Sequence, residues 1–350
     1  MPASEGELTT STEARPAAAS ATPRHDRLPM LDGWRAISIL AVLAGHMLPL
    51  GPSQWGMNGP IAANGMAIFF TLSGFLIVGI LYRDPDVGSF LIRRFLRIIP
   101  LAWTAIAVAL AIKQSDTPVW AANFFFYANL PPFWLIDWAS HFWSLDLEMQ
   151  FYAIIALVVL FLGRSGLRIL PIAAVAVTSL RIWTGTEISI VTWLRVDEIL
   201  AGGLLSMVIY GYPHSRVRDF LGRIPFWPIT ILAVLSTRHE LSWLNYARPY
   251  LTAMMVGITI VRPIRGLTPL LESRLAAYLA QVSYAVYIIH HFTLFGWLGS
   301  GEGFAKYIKR PLCFAISFAA AHLSTFYFEK PINNWAHRVT RRRPARQYVS

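Results

Sequence analysis

Asp32-Gly33-Trp34-Arg35 leads into Ala36-Ile37-Ser38-Ile39-Leu40-Ala41-Val42-Leu43-Ala44 and closes on Gly45-His46. Nothing charged interrupts the run between Arg35 and His46. In a helix these two residues are eleven steps apart, roughly three turns plus 20°, so both side chains fall on one face. The rise between them is about 16 Å, roughly half the hydrocarbon thickness of a bilayer. The stretch therefore reads as a membrane helix with an arginine near one surface and a histidine well inside. A histidine can be a satisfied core group. Inside a membrane a titratable side chain is costly, and the default reading shifts towards function.

The rest of the chain supports the membrane reading. Of its 350 residues 55% are hydrophobic and only 14% charged, and mean hydropathy is +0.48. Soluble domains carry about 25% charged residues. The formal charge of +11 resembles a nucleic-acid signature until the arginines are placed. They fall mostly in short loops between apolar runs, where they set membrane topology, so no nucleic-acid partner is expected. The single cysteine, Cys313, excludes an intrachain disulfide and a cysteine-rich metal site. No metal is assigned.

Residues 1–26 lack apolar periodicity and are expected to form a disordered cytoplasmic tail. They lack the apolar core of a signal peptide, so the first span is expected to be retained. Residues 27–334 are expected to form one transmembrane domain, and 335–350 a basic cytoplasmic tail. About ten spans are predicted, at 34–50, 61–82, 98–112, 147–163, 167–182, 190–210, 225–237, 247–261, 277–298 and 307–328. The fold class is thus an all-α integral membrane bundle. An even number of spans puts both termini on one side. The loop set holding Arg83, Arg93, Arg94, Arg97, Arg164 and Arg168 is richer in arginine than the set holding Lys113, Arg181, Arg238 and Arg248. The richer set is cytoplasmic by the positive-inside rule. Arg35 then lies near the cytoplasm and His46 towards the outer half.

Four further strings interrupt the apolar background. Within Phe69-Phe70-Thr71-Leu72-Ser73-Gly74, the small pair Ser73-Gly74 allows close helix approach. Ser73 can also bond a ligand. Arg93, Arg94 and Arg97 join Arg35 in a basic cluster. It reads equally as an anchor to anionic lipid or as a site for a phosphorylated cytosolic ligand, because guanidinium forks match phosphate oxygens. His141-Phe142-Trp143-Ser144-Leu145-Asp146-Leu147-Glu148 opens the fourth span. Ser144 is expected to cap that helix. Asp146 is expected to solvate at the interface while Glu148 turns inward. The preceding aromatic-rich stretch, 113–146, includes Trp134, Trp138 and Trp143. It is either an interfacial belt or a platform over an acceptor site. Arg195 with Asp197 or Glu198 reads as a structural ion pair. His290, in Ser283-Tyr284-Ala285-Val286-Tyr287-Ile288-Ile289-His290, is a secondary functional candidate.

Leu-Asp-Gly-Trp-Arg with ten residues before His46, Phe-Phe-Thr-Leu-Ser-Gly-Phe-Leu-Ile, Arg-Arg-Phe-Leu-Arg-Ile-Ile-Pro, Trp-Ser-Leu-x-x-Glu-x-x-Phe-Tyr and Ser-Tyr-x-x-Tyr-x-x-His occur here in that order. Together they resemble the acyltransferase-3 family of integral membrane O-acyltransferases, over about residues 28–332. The resemblance implies transfer of an acyl group, commonly acetyl, from acyl-CoA to hydroxyls of glycans, glycolipids or secondary metabolites. It implies that Arg35 and His46 form the arginine-histidine motif, with His46 catalytic. Arg94 and Arg97 fall on the paired-arginine motif and Glu148 on the fourth-span glutamate. Two positions depart from the pattern. Ala67 and Met149 stand where many members have acids, so neither can take an acid's role. With no outer esterase-like domain after the bundle, the membrane domain is expected to complete the transfer.

These readings combine into an O-acyltransferase of the bacterial inner membrane, surrounded by lipid. Acyl-CoA, with acetyl-CoA the expected form, is a co-substrate and no cofactor is permanently bound. Arg35, Arg93, Arg94 and Arg97 are expected to hold the CoA phosphates, with Ser73 and Trp143 also binding substrate. His46 is expected to act as general base and Glu148 to orient the imidazole or the acceptor. The competing reading is a proton-coupled transporter or flippase with His46 in a relay.

Overall fold

A computed structural model describes residues 28–211 and 216–340. The expected tail at 1–26 and the last ten residues of the expected basic tail lie outside the described residues. Among the described residues there is no strand. The helices are α1 (Pro29–Met47), α2 (Asn58–Arg83), α3 (Val87–Lys113), α4 (Thr117–Phe124), α5 (Trp143–Leu162) and α6 (Leu170–Trp183). They continue with α7 (Asp197–Ser206), α8 (Arg216–Arg223), α9 (Phe226–Leu235), α10 (Ser242–Val261), α11 (Thr268–Leu271) and α12 (Arg274–Ile289). Two short pieces follow, α13 (Gly296–Gly299) and α14 (Gly303–Tyr307), and then α15 (Arg310–Leu323) and α16 (Lys330–Val339).

Each of the ten predicted spans overlaps a helix. By length and apolar composition, four helical stretches among the described residues are able to cross a membrane: Asn58–Arg83, Val87–Lys113, Asp137–Trp183 and Gly303–Val339. The protein is an all-α, multi-pass membrane protein. Its outer surface carries the signature of lipid contact. On α5, Ile155, Ala156 and Val159 are buried, while Ile154, Leu157, Leu160 and Phe161 face outward. A helix apolar on both faces is suited to core on one side and lipid on the other.

The third span differs from its predicted start at residue 98. Helix α3 begins eleven residues earlier, at Val87, and carries Arg93, Arg94 and Arg97 within it. Arginine is a good helix former, so loss of hydrophobicity there marks a membrane boundary and not a helix end. The actual start is set by Asp86, whose carboxylate accepts from the Ser89 amide at 3.1 Å.

Helix α2 is the central helix. It packs along α1 on one side and α7 on another. Small residues permit both contacts. A Cβ at Gly65 would stand 2.7 Å from the Ser38 carbonyl oxygen of α1, and the Ser38 hydroxyl donates to the Gly65 carbonyl at 2.8 Å. A Cβ at Gly74 would collide with the Ile199 backbone of α7. The small pair Ser73-Gly74 thus does what its residue types predict, on the Gly74 side.

Behind α7 lies a closed ionic network. Arg181 donates to Asp197. Glu198 accepts from Arg248 at 2.7 Å and pairs with Arg195 at 3.2 Å. All five side chains are buried. Arg195 with Glu198 is the structural pair expected from the sequence. Arg181 and Arg248, counted as outer-loop charges by hydropathy, instead lie inside the bundle, because acids on a neighbouring helix neutralise them there.

Gly74→Leu should force α2 and α7 apart, at a cost of about 1–3 kcal/mol or more. The expected outcome is loss of monodisperse protein in fluorescence-detected size-exclusion chromatography and a lower Tm. Gly59→Ala, where the added Cβ meets open space, is the control and should leave both unchanged.

Candidate functional site

Helices α1 and α12 pack together and each carries a polar stripe. On α1 it reads Arg35, Ser38, Val42, His46, and on α12 Tyr284, Tyr287, His290. Arg35 and Tyr284 line the same two cavities. At the other end His46 Nδ1 lies 3.0 Å from His290 Nε2. The two stripes therefore run side by side and end on a pair of histidines.

The first cavity is a mouth of about 240 Å³. Asp32, Arg35, Arg97, Gln281, Tyr284, Glu329, Lys330 and Asn333 are among its lining residues. Glu329, at the start of α16, shares this mouth with Arg35 and Arg97. Its carboxylate accepts from the Ser324 hydroxyl at 3.0 Å. The second cavity is narrower, about 70 Å³, and continues inward past Ser73, Glu148, Ser144 and Tyr287 to Val42. Arg35, Arg97 and Tyr284 line both. Val42 is one helical turn short of His46.

The candidate residues do not all meet. Arg35 and Arg97 face the cavities. Arg94 lies close enough to interact electrostatically with Arg97 and Glu148 but lines neither cavity. Arg93 turns back to its own helix, donating to the Ser89 carbonyl at 3.0 Å. Trp143 is packed edge-on to Phe70 at 5.7 Å between ring centroids, with Arg195 over its ring. Glu148 is buried and held on one oxygen by the Ser73 hydroxyl and by the Tyr152 hydroxyl at 2.5 Å.

Two local expectations are corrected. Asp146 does not solvate at an interface; it is buried and accepts from the Asn129 amide at 3.1 Å. The loop before α5 folds back over it and supplies a backbone donor in place of water. Ser144 does not cap α5, which starts at Trp143 after a 3-10 turn, Asp137–Phe142. That turn already occupies the amides a cap would serve. The Ser144 hydroxyl is instead 2.6 Å from the Tyr287 hydroxyl.

His46 also differs from its expected setting. It sits in the last turn of α1 and the residue is partly open to the outside, so it is not wholly enclosed by helices. Around its inner edge are three more histidines. His290 is fully buried and His141 nearly so. His291 stands edge-on to His46 at 6.1 Å, and His141 lies 4.5 Å from His291 and 5.3 Å from His290, between ring centroids. The aromatic stretch brings His141 here: Trp138 stacks on Phe295 at 4.8 Å, and the Tyr287 hydroxyl donates to the His141 carbonyl at 2.5 Å. His141 and His291 were not singled out from the sequence as site residues. Each lies next to a quoted motif, and only the tertiary fold brings them together. Among the described residues, no group of three or more His, Cys, Asp or Glu side chains is placed to share a metal ion.

Two neighbouring cavities share Arg35, Arg97 and Tyr284; the outer one adds Lys330, Asp32 and Glu329, the inner one adds Glu148, and His46 lies beyond the inner one. Such a site can bind an anionic head, admit a thin arm and accept a proton.

Comparison with known proteins agrees with the motif reading. The chain is 27% identical over 322 residues to the peptidoglycan O-acetyltransferase OatA of Listeria monocytogenes, covering 77% of this chain and 50% of that protein. It is 23% identical over 318 residues to a putative O-acetyltransferase of Staphylococcus aureus, covering 75% and 50%. It is 30% identical over 164 residues to the O-acetyltransferase OatA of Staphylococcus aureus, covering 40% and 26%. The chain thus spans about half the length of the first two relatives. No solved structure matches. The model of the acyltransferase-3 family, described as an acyltransferase domain, matches residues 28–330, and the chain belongs to that family of membrane acyltransferases.

Proposed function

We propose that this protein transfers an acyl group, acetyl in the first instance, from cytosolic acyl-CoA to a hydroxyl of a cell-envelope glycan, glycolipid or secondary metabolite presented on the outer face. The observation that carries this reading is the pair of adjacent cavities that share Arg35, Arg97 and Tyr284, the inner one reaching Val42, one helical turn from His46. The mouth is the wider cavity, and its cations Arg35, Arg97 and Lys330, which outnumber Asp32 and Glu329, suit the phosphates of CoA. The inner cavity is too narrow for a nucleotide and suits the extended arm and its thioester. The relatives' names as O-acetyltransferases favour acetyl as the group moved.

The chemistry asked of the chain is modest. His46 takes the proton of the attacking hydroxyl as the new acyl–oxygen bond forms. The acyl–sulfur bond then breaks, and the same proton passes from His46 to the departing sulfur, releasing CoA thiol. No covalent acyl-protein is required. Glu148, already held by Ser73 and Tyr152, faces Arg35 and Arg97 across the inner cavity. Its role in this reading is to keep those guanidiniums aimed along the donor path. Arg94 acts on the same path from behind, through its charge. Arg93, turned back to its helix, is left as an anchor.

In this orientation the arginine mouth is cytoplasmic, as are both termini, and the 113–146 stretch lies outside. Single cysteines introduced into a Cys313→Ala background test it: a cysteine at Leu130 should react with an impermeant maleimide added to whole cells. Reaction only after the cytoplasmic face is opened would reverse the donor side.

Arg97→Ala should raise KM for acetyl-CoA about tenfold or more and leave kcat nearly unchanged, because the lost contact is distant from the reacting carbon. Transfer of labelled acetyl from acetyl-CoA into vesicles carrying their native acceptors measures both constants. An unchanged KM in properly inserted Arg97→Ala protein would return the cluster to a lipid-anchoring role.

His46→Gln should insert normally, bind acetyl-CoA and lose turnover by on the order of 10²–10⁴, the usual contribution of a general base. Near-normal turnover per folded molecule would remove His46 from the chemistry. Mass spectrometry of surface glycans and lipids from cells with and without the gene identifies the acceptor.

A further inference from the structure

The His46–His290 contact has a direction set by a third partner. His290 Nδ1 lies 2.7 Å from the Tyr287 carbonyl oxygen and 3.2 Å from that of Val286. A carbonyl oxygen only accepts, so Nδ1 of His290 carries a proton. On the neutral ring Nε2 then holds the lone pair. His46 Nδ1, 3.0 Å away, must be the donor. The two ring planes differ by 15° with centroids 5.3 Å apart. So short a bond at so long a centroid separation means that the rings meet edge to edge, with the N–H close to both planes. The remaining nitrogen of His46, Nε2, is left with a lone pair on the side of the ring away from His290, and His46 is the exposed member of the cluster.

We propose that His290 is a positioning residue that fixes His46 as the Nδ1–H tautomer, so that Nε2 is always the nitrogen offered to the acceptor hydroxyl. This rests on the reading of His46 as general base and deepens it. The fold supplies what the device needs. His290 is fully buried, so water does not compete for its Nε2. Its ring is tied to the backbone of its own helix, so the tautomer does not depend on a charge. His291 and His141 are also near the pair, but His291 stands edge-on to His46 at 6.1 Å, and His141 makes a ring contact with His290 without a hydrogen bond to it or to His46. Neither replaces His290. A carboxylate that holds a catalytic imidazole in one tautomer does the same work in the serine-protease triad, where its amide replacement costs about 10⁴ in kcat through the wrong tautomer. In this bundle a neutral imidazole performs the role, which avoids burying a charge.

The decisive measurement is solid-state ¹⁵N NMR of histidine-labelled protein in lipid nanodiscs at neutral pH, with the His46 signals assigned by their loss in His46→Gln. Wild-type protein should give a protonated Nδ1 and an unprotonated Nε2 for His46. His290→Leu, which removes the acceptor, should mix or reverse the two. Acetyl transfer from acetyl-CoA into vesicles carrying native acceptors should show kcat down about 100-fold or more, with KM for acetyl-CoA within about threefold. His290→Gln can accept from His46 and donate to the Tyr287 carbonyl, and should recover kcat to within about tenfold of wild type. A protonated Nε2 on His46 in the wild-type protein would overturn the proposal, whether or not His290→Leu accumulates. So would normal turnover in His290→Leu together with inactive His46→Gln, a result that leaves the general-base reading intact. Normal turnover in His46→Gln would remove that reading instead.

Discussion

A charge surrounded by helices and lipid must be neutralised by a neighbour or reached by water or a ligand. That constraint sorts the interior of this protein into two kinds of polar group. Arg181, Arg195, Arg248, Asp197 and Glu198 close on one another, and the result is a brace between α7, α10 and the end of α6. Arg35, Arg97 and Glu148 share a cavity in place of bonding directly. Both groups carry one more guanidinium than carboxylate within them, but in the second the charges line an open space, with Asp32 and Glu329 at its outer neighbour. Such a space is suited to an anion and would be costly to leave without one.

Helix packing turns this electrostatic division into a path. The close approach of α1 to α2 at Gly65, and of α2 to α7 at Gly74, leaves no room for side chains between those backbones. Ser38 of α1 still reaches the Gly65 carbonyl of α2, while α12 packs along α1 as well. There the stripe of Arg35, Ser38, Val42 and His46 meets the stripe of Tyr284, Tyr287 and His290. Arg35, Ser38 and Val42 line the inner cavity together with Tyr284 and Tyr287, and His46 and His290 touch beyond it.

Much of this was legible in the chain alone. The eleven-residue interval between Arg35 and His46 contains the helical stripe, and the Ser73-Gly74 pair contains the close contact. The paired arginines and Glu148 announce themselves as charges in apolar surroundings. What the chain could not disclose is of one type: pairings between segments far apart in sequence. Asp146 looks like an interfacial acid until Asn129 is seen folding back over it. Arg181 and Arg248 look like loop charges until acids on α7 are found beside them. His141 lies in an aromatic stretch whose composition fits an interfacial belt. Its approach to His290 depends on Trp138 stacking on Phe295, a contact between residues with no local relation. Of the three arginines of α3 only Arg97 lines the cavities; Arg93, one turn away on nearly the same helix face, folds back onto the Ser89 carbonyl, a choice of side-chain partner that helical spacing does not reveal.

In the proposed reaction one base serves substrates arriving from two sides, and the position of Tyr287 bears on how it would do so. Its hydroxyl donates to the His141 carbonyl and is met by the Ser144 hydroxyl, so it ties α12 to the turn before α5. Its ring stacks on Phe69 of α2, 11° from parallel with centroids 6.3 Å apart. In the proposed reaction these side chains, which line the inner cavity with Val42, form a septum between that cavity and His46. An open tube at this level would join the cytoplasm to the outer face and let water compete with the acceptor for the thioester. A septum one helical turn thick keeps the compartments apart while leaving a distance that a small acyl group on an extended arm can bridge. On that argument the thickness of the barrier and the size of the transferred group are linked, and the side chains around Tyr287 are where a preference for short acyl chains would be set.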